Sequence, residues 1–164
     1  MIIIISLLLI YIVYINITLS KKRKKVINEW QELDNLIKKR NDLIPNLLAK
    51  VKEYSIEDID KVNEARNKVL SSKTKKDKIT HSNKLTNELG YLFSLTEENS
   101  DLKTDGNFLT IQSSINDIED QINNYKRRYN ILAINYKNKL NKFKIIAHLF
   151  RHQKEDYIDE EVLE

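Results

Sequence analysis

The sequence predicts an all-α protein, with an N-terminal transmembrane helix followed by an antiparallel up-and-down four-helix bundle whose first and last helices are long. Three observations predict this fold. An apolar run opens the chain, apolar residues then recur every three or four positions, and the 164 residues include only two Gly and one Pro. The run is typical of a membrane span and the spacing of amphipathic helices, and so few turn residues disfavour a β-rich fold.

Residues 1–20 are interpreted as the transmembrane anchor. Residues 2–19 read IIIISLLLIYIVYINITL. At about 1.5 Å per residue this run extends roughly 27 Å, close to the ~30 Å hydrocarbon core of a bilayer. The alternative, a cleaved signal peptide, has cations before the apolar run and a small-residue cleavage site after it. Neither pattern is in the sequence, so we expect an uncleaved anchor.

Residues 21–25 form a basic juxtamembrane stop-transfer segment. They are five consecutive cations: Lys21, Lys22, Arg23, Lys24 and Lys25. By the positive-inside rule they predict a single-pass protein of the cell membrane, with its N-terminus outside and its C-terminal domain in the cytoplasm. Their expected partner is a lipid bilayer with anionic headgroups. Without them the chain has 23 basic and 24 acidic residues, so we expect no nucleic-acid partner.

The cytoplasmic helical bundle is expected over residues 26–145, and its first helix over about 26–54. The apolar spacing continues across Pro45, which predicts one long helix kinked where the hydrogen bond to the Asn41 carbonyl is lost. The alternative is a new helix that begins near Pro45, with Asp42 as its N-cap. No Gly or Pro separates the anchor from this helix, so the two are compatible with one continuous helix.

One charged residue, Arg40, interrupts the apolar seam of the first helix. A charge in that position needs a partner, and the last predicted helix offers Glu119 or Asp120. The alternative is that the Arg40 side chain extends along the seam until its guanidinium reaches water.

Two shorter helices are expected over about 56–70 and about 79–98. Ser55 with Asp58 resembles a capping box before the first of them, and the polar stretch 71–78 is interpreted as a loop. Gly90 lies inside the second, where it costs about 1 kcal/mol relative to Ala and suggests the close approach of another helix.

The last helix, over about 107–143, has the strongest pattern in the chain, with Asp105 or Asn107 as its N-cap. Its apolar residues keep three–four spacing for about five heptads. Such a stripe is either the core of the bundle or the seam of a dimeric coiled coil. A four-helix bundle buries the apolar faces of all four predicted helices at once.

Residues 146–164 are interpreted as an amphipathic segment and a solvated acidic tail. The stretch 142–154 combines apolar and basic residues, which predicts either a second contact with the membrane surface or a cap on the bundle. The residues proposed for that second contact are Lys142, Lys144, Ile146, Leu149, Phe150 and Arg151.

The most specific of several short motifs along the chain is Asp42-Leu43-Ile44-Pro45-Asn46-Leu47, with Arg40 before it. Together these motifs resemble those of the LemA family of bacterial membrane-anchored proteins. The most specific resembles the family's R-x-D-L-I-P-N-L motif and supplies structural residues Arg40, Asp42, Leu43, Ile44, Pro45, Asn46 and Leu47. Further likenesses are Asn28-Glu29-Trp30, Glu64-Ala65-Arg66, Asn107-Phe108-Leu109 with Gln112, and Glu119 to Ile122 with Arg127 to Asn130. The family's Tyr-Pro before the last helix is Asn99-Ser100 here, and its Phe-Pro afterwards is Phe143-Lys144. The resemblance implies an anchor, a cytoplasmic helical bundle and no established catalytic activity.

No catalytic, cofactor-binding or metal-binding residue is predicted. The chain has no Cys, which excludes disulfides and thiolate chemistry. We expect a scaffold or protein-interaction module at the inner membrane surface, with an unidentified protein partner. One alternative is a membrane-tethered enzyme or metal-dependent factor that uses His148 and His152, four residues apart on one helix face, with Asp156 one turn later. Another is a self-assembling coiled-coil membrane protein, which would be a homo-oligomer.

Overall fold

The computed structural model describes residues 1–54 and 59–158, and within these ranges it contains helices and turns but no strand. The α-helices of these ranges follow one another in the order α1 (Ile2–Glu53), α2 (Ile59–Ser71), α3 (Lys75–Thr96), α4 (Gly106–Lys142) and α5 (Lys144–Leu149). A 3₁₀ turn, Leu102–Thr104, precedes α4. The all-α prediction is confirmed.

Helix α1 joins the anchor, the basic segment and the first predicted helix of the bundle without a break. Pro45 lies inside it, eight residues before its end. The prediction of one helix through Pro45 is therefore confirmed, and the alternative of a new helix beginning there is wrong. Continuity is physically reasonable because Pro removes only one backbone hydrogen bond from a helix of 52 residues.

The predicted bounds of the shorter helices need correction. Helix α3 begins at Lys75 instead of about 79 because Thr74 caps it: its hydroxyl accepts a hydrogen bond of 3.0 Å from the backbone N–H of Asp77. The predicted loop is correspondingly shorter. The capping box at Ser55 and Asp58 lies outside the described residues.

The chain divides into two compact units, and α1 and α4 each contribute to both. We call Leu33–Asn124 the central unit, after its place in the sequence, and Met1–Glu32 with Tyr125–Glu164 the terminal unit.

The core of the central unit reproduces the predicted apolar seams. Helix α2 packs against α3. The buried apolar side chains are Leu33, Leu36, Ile37, Ile44, Leu47, Val51, Val62, Ala65, Val69, Ile79, Leu85, Leu89, Leu92, Leu102, Phe108, Ile115 and Ile122. Gly90 is solvent-exposed, and a Cβ built on it meets no atom within 4 Å. The prediction of a close helix approach at Gly90 is therefore wrong.

The core of the terminal unit is smaller and more aromatic. Its buried apolar side chains are Ile15, Leu19, Val26, Tyr129, Ala133, Tyr136, Leu140, Ala147 and Ile158. The Trp30 ring packs edge-on against the Tyr129 ring, with 5.8 Å between the ring centroids, a favourable geometry for an aromatic pair.

Candidate functional site

The buried arginine of the central unit has the partner that the sequence predicted. Arg40 is fully buried, and its Nη1 group forms an ion pair with the Glu119 carboxylate and donates a hydrogen bond of 2.9 Å to Thr86 Oγ1. Its Nη2 group donates to Ser82 Oγ at 2.9 Å. Glu119, rather than Asp120, is therefore the partner, and the alternative in which Arg40 extends to water is wrong.

These contacts join three helices, because Arg40 lies on α1, Ser82 and Thr86 on α3, and Glu119 on α4. The Thr86 hydroxyl lies 3.1 Å from Glu119 Oε1, so the carboxylate contacts both a cation and a hydroxyl. Burial lowers the pKa of Arg40, and the neighbouring Glu119 opposes that shift. Because these groups face one another in the protein interior, their arrangement supports a structural role.

A second contact explains how the proline is tolerated inside α1. The Asn41 carbonyl is the acceptor that the N–H of residue 45 would normally occupy, and Pro45 has no N–H. Arg66 Nε donates a hydrogen bond of 2.9 Å to that carbonyl. Since Asn41 is 1% exposed, solvent cannot easily supply the missing donor. Sequence reasoning missed this partner, although an arginine in the apolar seam of α2 was a usable signal.

The other family-motif residues divide by exposure. Ile44 and Leu47 are buried and Leu43 is half-buried, while Asp42, Pro45 and Asn46 are exposed. The motif thus packs one helix face into the central core and leaves three polar or small side chains at the surface.

The start of α4 is fixed by Asp105, which decides between the two predicted N-caps. Asp105 Oδ1 accepts hydrogen bonds of 2.9 Å from the backbone N–H groups of Asn107 and Phe108. Its Oδ2 accepts one from the Tyr54 hydroxyl at 2.9 Å and pairs with Lys50 Nζ at 3.0 Å. The bond from Phe108, followed by that from Lys50, lowers the pKa of Asp105 to about 2.

The predicted membrane-facing cations occupy different environments within the terminal unit. Arg23 Nη2 donates a hydrogen bond of 2.9 Å to the side chain of Gln153, and Arg23 Nε lies 3.4 Å from Glu155 Oε1. Lys21, Lys24 and Lys25 are exposed and Lys22 is half-buried. A cleft of about 290 Å³ is lined by Thr18, Lys21, Lys22, Lys25, Leu132 and Asn135. Arg23 therefore bonds to side chains of its own chain, Gln153 and Glu155.

A turn after α5 redirects the chain. Arg151 has φ 51°, in the left-handed region that usually favours Gly. The N–H of Arg151 donates to the His148 carbonyl at 3.1 Å, and that of His152 to the Ala147 carbonyl at 2.9 Å. This is the Schellman pattern of a helix C-terminus. Helix α5 therefore ends at Leu149. His152 lies beyond the helix, so it does not share a helix face with His148.

The segment 152–158 is non-helical and bonds to α1 and α4 of its own unit. The Tyr136 and Tyr129 hydroxyls each donate a hydrogen bond of 3.0 Å, to the carbonyls of Gln153 and Asp156 respectively. The Ile158 N–H donates to Asn130 Oδ1 at 3.0 Å. The sequence predicts a solvated tail for the acidic end from Glu155 onward. That prediction is wrong for 155–158, which bond to Arg23, Tyr129 and Asn130, while 159–164 lie outside the described residues.

The positions of His148 and His152 do not support the alternative of a metal site built on them. His148 is exposed, whereas a ring nitrogen of His152 lies 2.9 Å from Asn16 Oδ1. Burial, with a smaller effect from Arg23, lowers the pKa of His152. Within residues 1–54 and 59–158, no group of three or more His, Asp or Glu side chains is arranged to hold a metal ion.

The turn at Arg151 divides the stretch 142–154, for which the sequence predicted either a second membrane contact or a cap on the bundle. Ile145, Leu149 and Phe150 remain exposed, by 86%, 67% and 41%, whereas residues 152–158 pack within the terminal unit. Beside α5 is an apolar pocket of about 420 Å³, lined by Leu8, Tyr11, Ile12, Asn141, Lys142, Phe143, Lys144, Ile145 and Ile146. The exposed apolar surface of α5 and this pocket form the candidate site.

The fold defines a helical protein with one long, apolar N-terminal helix and a pocket where that helix meets the end of α4. The family model of the LemA family matches residues 29–162, and the chain belongs to that family. No curated protein matches the chain.

Proposed function

We propose that this LemA-family protein is a single-pass protein of the cell membrane, and that its cytoplasmic bundle acts as a scaffold or protein-interaction module at the inner membrane surface. The observation that carries the proposal is the continuity of α1, which runs from the apolar N-terminal residues into the cores of both units. A span that is part of the domain's own helix holds the domain close to the bilayer and limits its orientation, whereas a flexible linker would not.

Helix α1 has the length and composition that the anchor requires. Of the helices that the structure describes, α1 is long and apolar enough to cross a membrane, and only 11% of its most apolar stretch is buried. A core helix of a soluble protein would bury most of such a stretch. The five cations after this stretch support an orientation with the N-terminus outside.

The proposed layout of the domain is an antiparallel up-and-down four-helix bundle formed by α1 to α4. Short connections between helices favour antiparallel neighbours, and three residues, 72–74, separate α2 from α3. The contacts of Arg40 with α3 and α4 support a common core for these helices.

A binding role agrees better with the buried chemistry than the two alternatives do. The ionic groups of Arg40 and Glu119 are paired with each other, and Arg40 is fully buried. The apolar stripe of α4 is largely used within the chain, since Phe108, Ile115 and Ile122 are at most 2% exposed. That leaves little of the stripe for a coiled coil between copies.

The topology is testable with single cysteines because the chain has no native Cys. Ile2→Cys should react with a membrane-impermeant maleimide in intact cells, and Lys76→Cys, an exposed residue of α3, only after the cells are permeabilised. The reverse pattern would overturn the orientation. Release of the protein by alkaline carbonate would overturn the anchor itself.

The interaction role is testable by photo-crosslinking from the surface of the bundle in living cells. Helix α2 offers a matched pair of positions, since Asn67 is exposed and Val69, two residues later, is buried. A photoreactive residue at Asn67 should give discrete adducts of one or a few masses, and one at Val69 should give none. Equal adduct patterns from the two positions would contradict an interaction surface on α2.

A further inference from the structure

The cleft between α1 and α4 of the terminal unit brings three of the five consecutive cations together. It has a volume of about 290 Å³ and is lined by Thr18, Lys21, Lys22, Lys25, Leu132 and Asn135. The first four of these residues are three or four positions apart on α1, so they share one helix face. All six belong to the terminal unit. We call this feature the lysine cleft.

The other two cations of the run lie outside the lysine cleft. Arg23 bonds to Gln153 and Glu155. Lys24 is exposed and does not contribute to the described lining. The convergence of three lysines on one cleft is therefore a property of how α1 packs beside α4, and the run of cations alone does not require it.

The positive charges of the lysine cleft are not balanced within the described parts of the chain. In residues 1–54 and 59–158, no carboxylate forms an ion pair with any of the three lysines. Glu29 lies one turn after Lys25, but it is paired with Arg128 at 2.6 Å. Because Lys21 and Lys25 are like charges four positions apart on a helix, they repel each other. An anion bound between them would relieve that repulsion.

The donors that line the cleft fit a phosphate group. Each lysine ammonium group has three N–H donors, and the exposed Asn135 side chain offers an amide donor. The Thr18 hydroxyl donates to the Tyr14 carbonyl at 2.9 Å, so it is not available as a donor. A phosphate group carries up to two negative charges and at least three strong acceptor oxygens, and lysine is a common ligand for it.

The size of the lysine cleft limits what accompanies the phosphate. Its volume of about 290 Å³ is at the lower end of the roughly 300–1,000 Å³ that is usual for small-molecule sites. It therefore suits a lipid headgroup or a small dissolved phosphate compound better than a large cofactor. A headgroup is a reasonable source because Lys21 follows the apolar run of α1 after one residue.

We propose that the lysine cleft binds one phosphate group through Lys21, Lys22 and Lys25, with Asn135 as a further hydrogen-bond donor. The phosphate belongs either to an anionic lipid or to a dissolved compound, and the test below distinguishes the two. This inference goes beyond the proposed function, because a run of cations attracts any anionic surface, whereas a cleft formed by two helices holds one anion in one place.

The test uses the full chain, isotope-labelled and purified in a neutral detergent without phosphate. Backbone amide shifts are measured by NMR while inorganic phosphate, phosphatidylglycerol or phosphatidylcholine is added at constant ionic strength. We expect saturable shifts around the lysine cleft with inorganic phosphate, phosphatidylglycerol or both, and weaker binding of phosphatidylcholine because its headgroup also carries a cation. Tighter binding of phosphatidylglycerol than of inorganic phosphate assigns the site to a lipid, and the reverse order assigns it to a dissolved compound.

Two variants test the residues of the site with the probe that binds more tightly. Lys21→Gln/Lys25→Gln should weaken its binding roughly 30-fold, because two cations are removed. Asn135→Leu changes no charge and should weaken binding roughly 3-fold, because one hydrogen bond is lost.

The matched control is Lys24→Gln/Lys154→Gln, which removes the same charge from exposed residues of the terminal unit outside the cleft lining and should leave binding nearly unchanged. Equal weakening by the two double variants would overturn the site in favour of a general attraction between charges. Shifts that do not saturate with any of the three probes would also overturn it. These measurements do not require α1 to cross a membrane, so their failure leaves the proposed anchor, tested by alkaline carbonate extraction, unaffected.

Discussion

Helices α1 and α4 contribute to both the central and the terminal unit, but the two units differ in which side chains they bury and which they expose. In the central unit the Arg40 guanidinium is fully buried and paired with Glu119, whose side chain is 15% exposed. In the terminal unit the notable apolar side chains are turned outward, and Ile145 is 86% exposed. A buried charge needs a fixed partner, whereas an exposed apolar surface is a candidate for binding. The comparison therefore places structural specificity in the central unit and the candidate binding surface in the terminal unit.

The two units also differ in how their parts are held together. The central unit connects α1, α3 and α4 through ionic and hydroxyl side chains. The terminal unit holds the non-helical segment 152–158 partly through backbone carbonyls that accept hydrogen bonds from Tyr129 and Tyr136. The segment's Gln153 and Glu155 side chains also contact Arg23, whose side chain is 31% exposed. Charge-assisted hydrogen bonds are strongest where water is excluded. Because Arg40 is fully buried, its substitution should have a larger effect than the loss of one contact of the segment 152–158.

The largest effect is expected from Arg40→Met, which leaves the Glu119 carboxylate without its cation. The full chain in detergent should lose about 3–5 kcal/mol of unfolding free energy, because removing one partner leaves an uncompensated buried charge. Denaturant unfolding followed by circular dichroism measures the loss.

The control for that substitution is Arg127→Met, at an exposed position of α4, where the expected change is within about 0.5 kcal/mol. The double variant Arg40→Met/Glu119→Leu should recover much of the loss, because it removes both charges. If Arg40→Met were as mild as Arg127→Met, the ion pair would not stabilise the central unit.

An intermediate effect is expected from Arg66→Met, which removes the donor to the buried Asn41 carbonyl. The cost should be about 1–3 kcal/mol, the usual penalty for an unsatisfied buried acceptor. Pro45→Ala restores the N–H that a regular helix directs to this carbonyl, so the double variant should lose less than Arg66→Met alone. A double-mutant cycle of unfolding free energies measures the coupling; simple additivity would show that Arg66 does not replace the missing N–H.

The smallest effect is expected from Tyr136→Phe, which deletes the hydroxyl that donates to the Gln153 carbonyl. Loss of one neutral hydrogen bond should cost about 0.5–1.5 kcal/mol. The effect should be local, with faster amide hydrogen exchange in 152–158 and little change in the central unit. Tyr91→Phe, at an exposed position of α3, is the control. Unchanged exchange in 152–158 would contradict the contribution of this bond.

The sequence by itself determined the long helices, the apolar N-terminal stretch and the seams, because all three depend on the order of apolar residues along one segment. It also determined the two candidate partners of Arg40, since a charge within an apolar seam demands an opposite charge. Asp105 was identified as one of two N-caps for a similar local reason: capping involves side chains only two or three residues from the helix start.

The tertiary structure alone decided the contacts that no period encodes. Arg66 reaches the Asn41 carbonyl across 25 residues of sequence, and the choice between Glu119 and Asp120 depends on how α4 faces α1. Arg151 adopts a left-handed backbone conformation that an arginine in the sequence does not predict. The segment 152–158 is held partly by its backbone, which is chemically alike at every residue, and partly by Arg23 of α1. Its own composition therefore did not reveal these contacts. Hydrogen bonds between distant segments depend on how the chain brings them together, and local sequence carries little of that information.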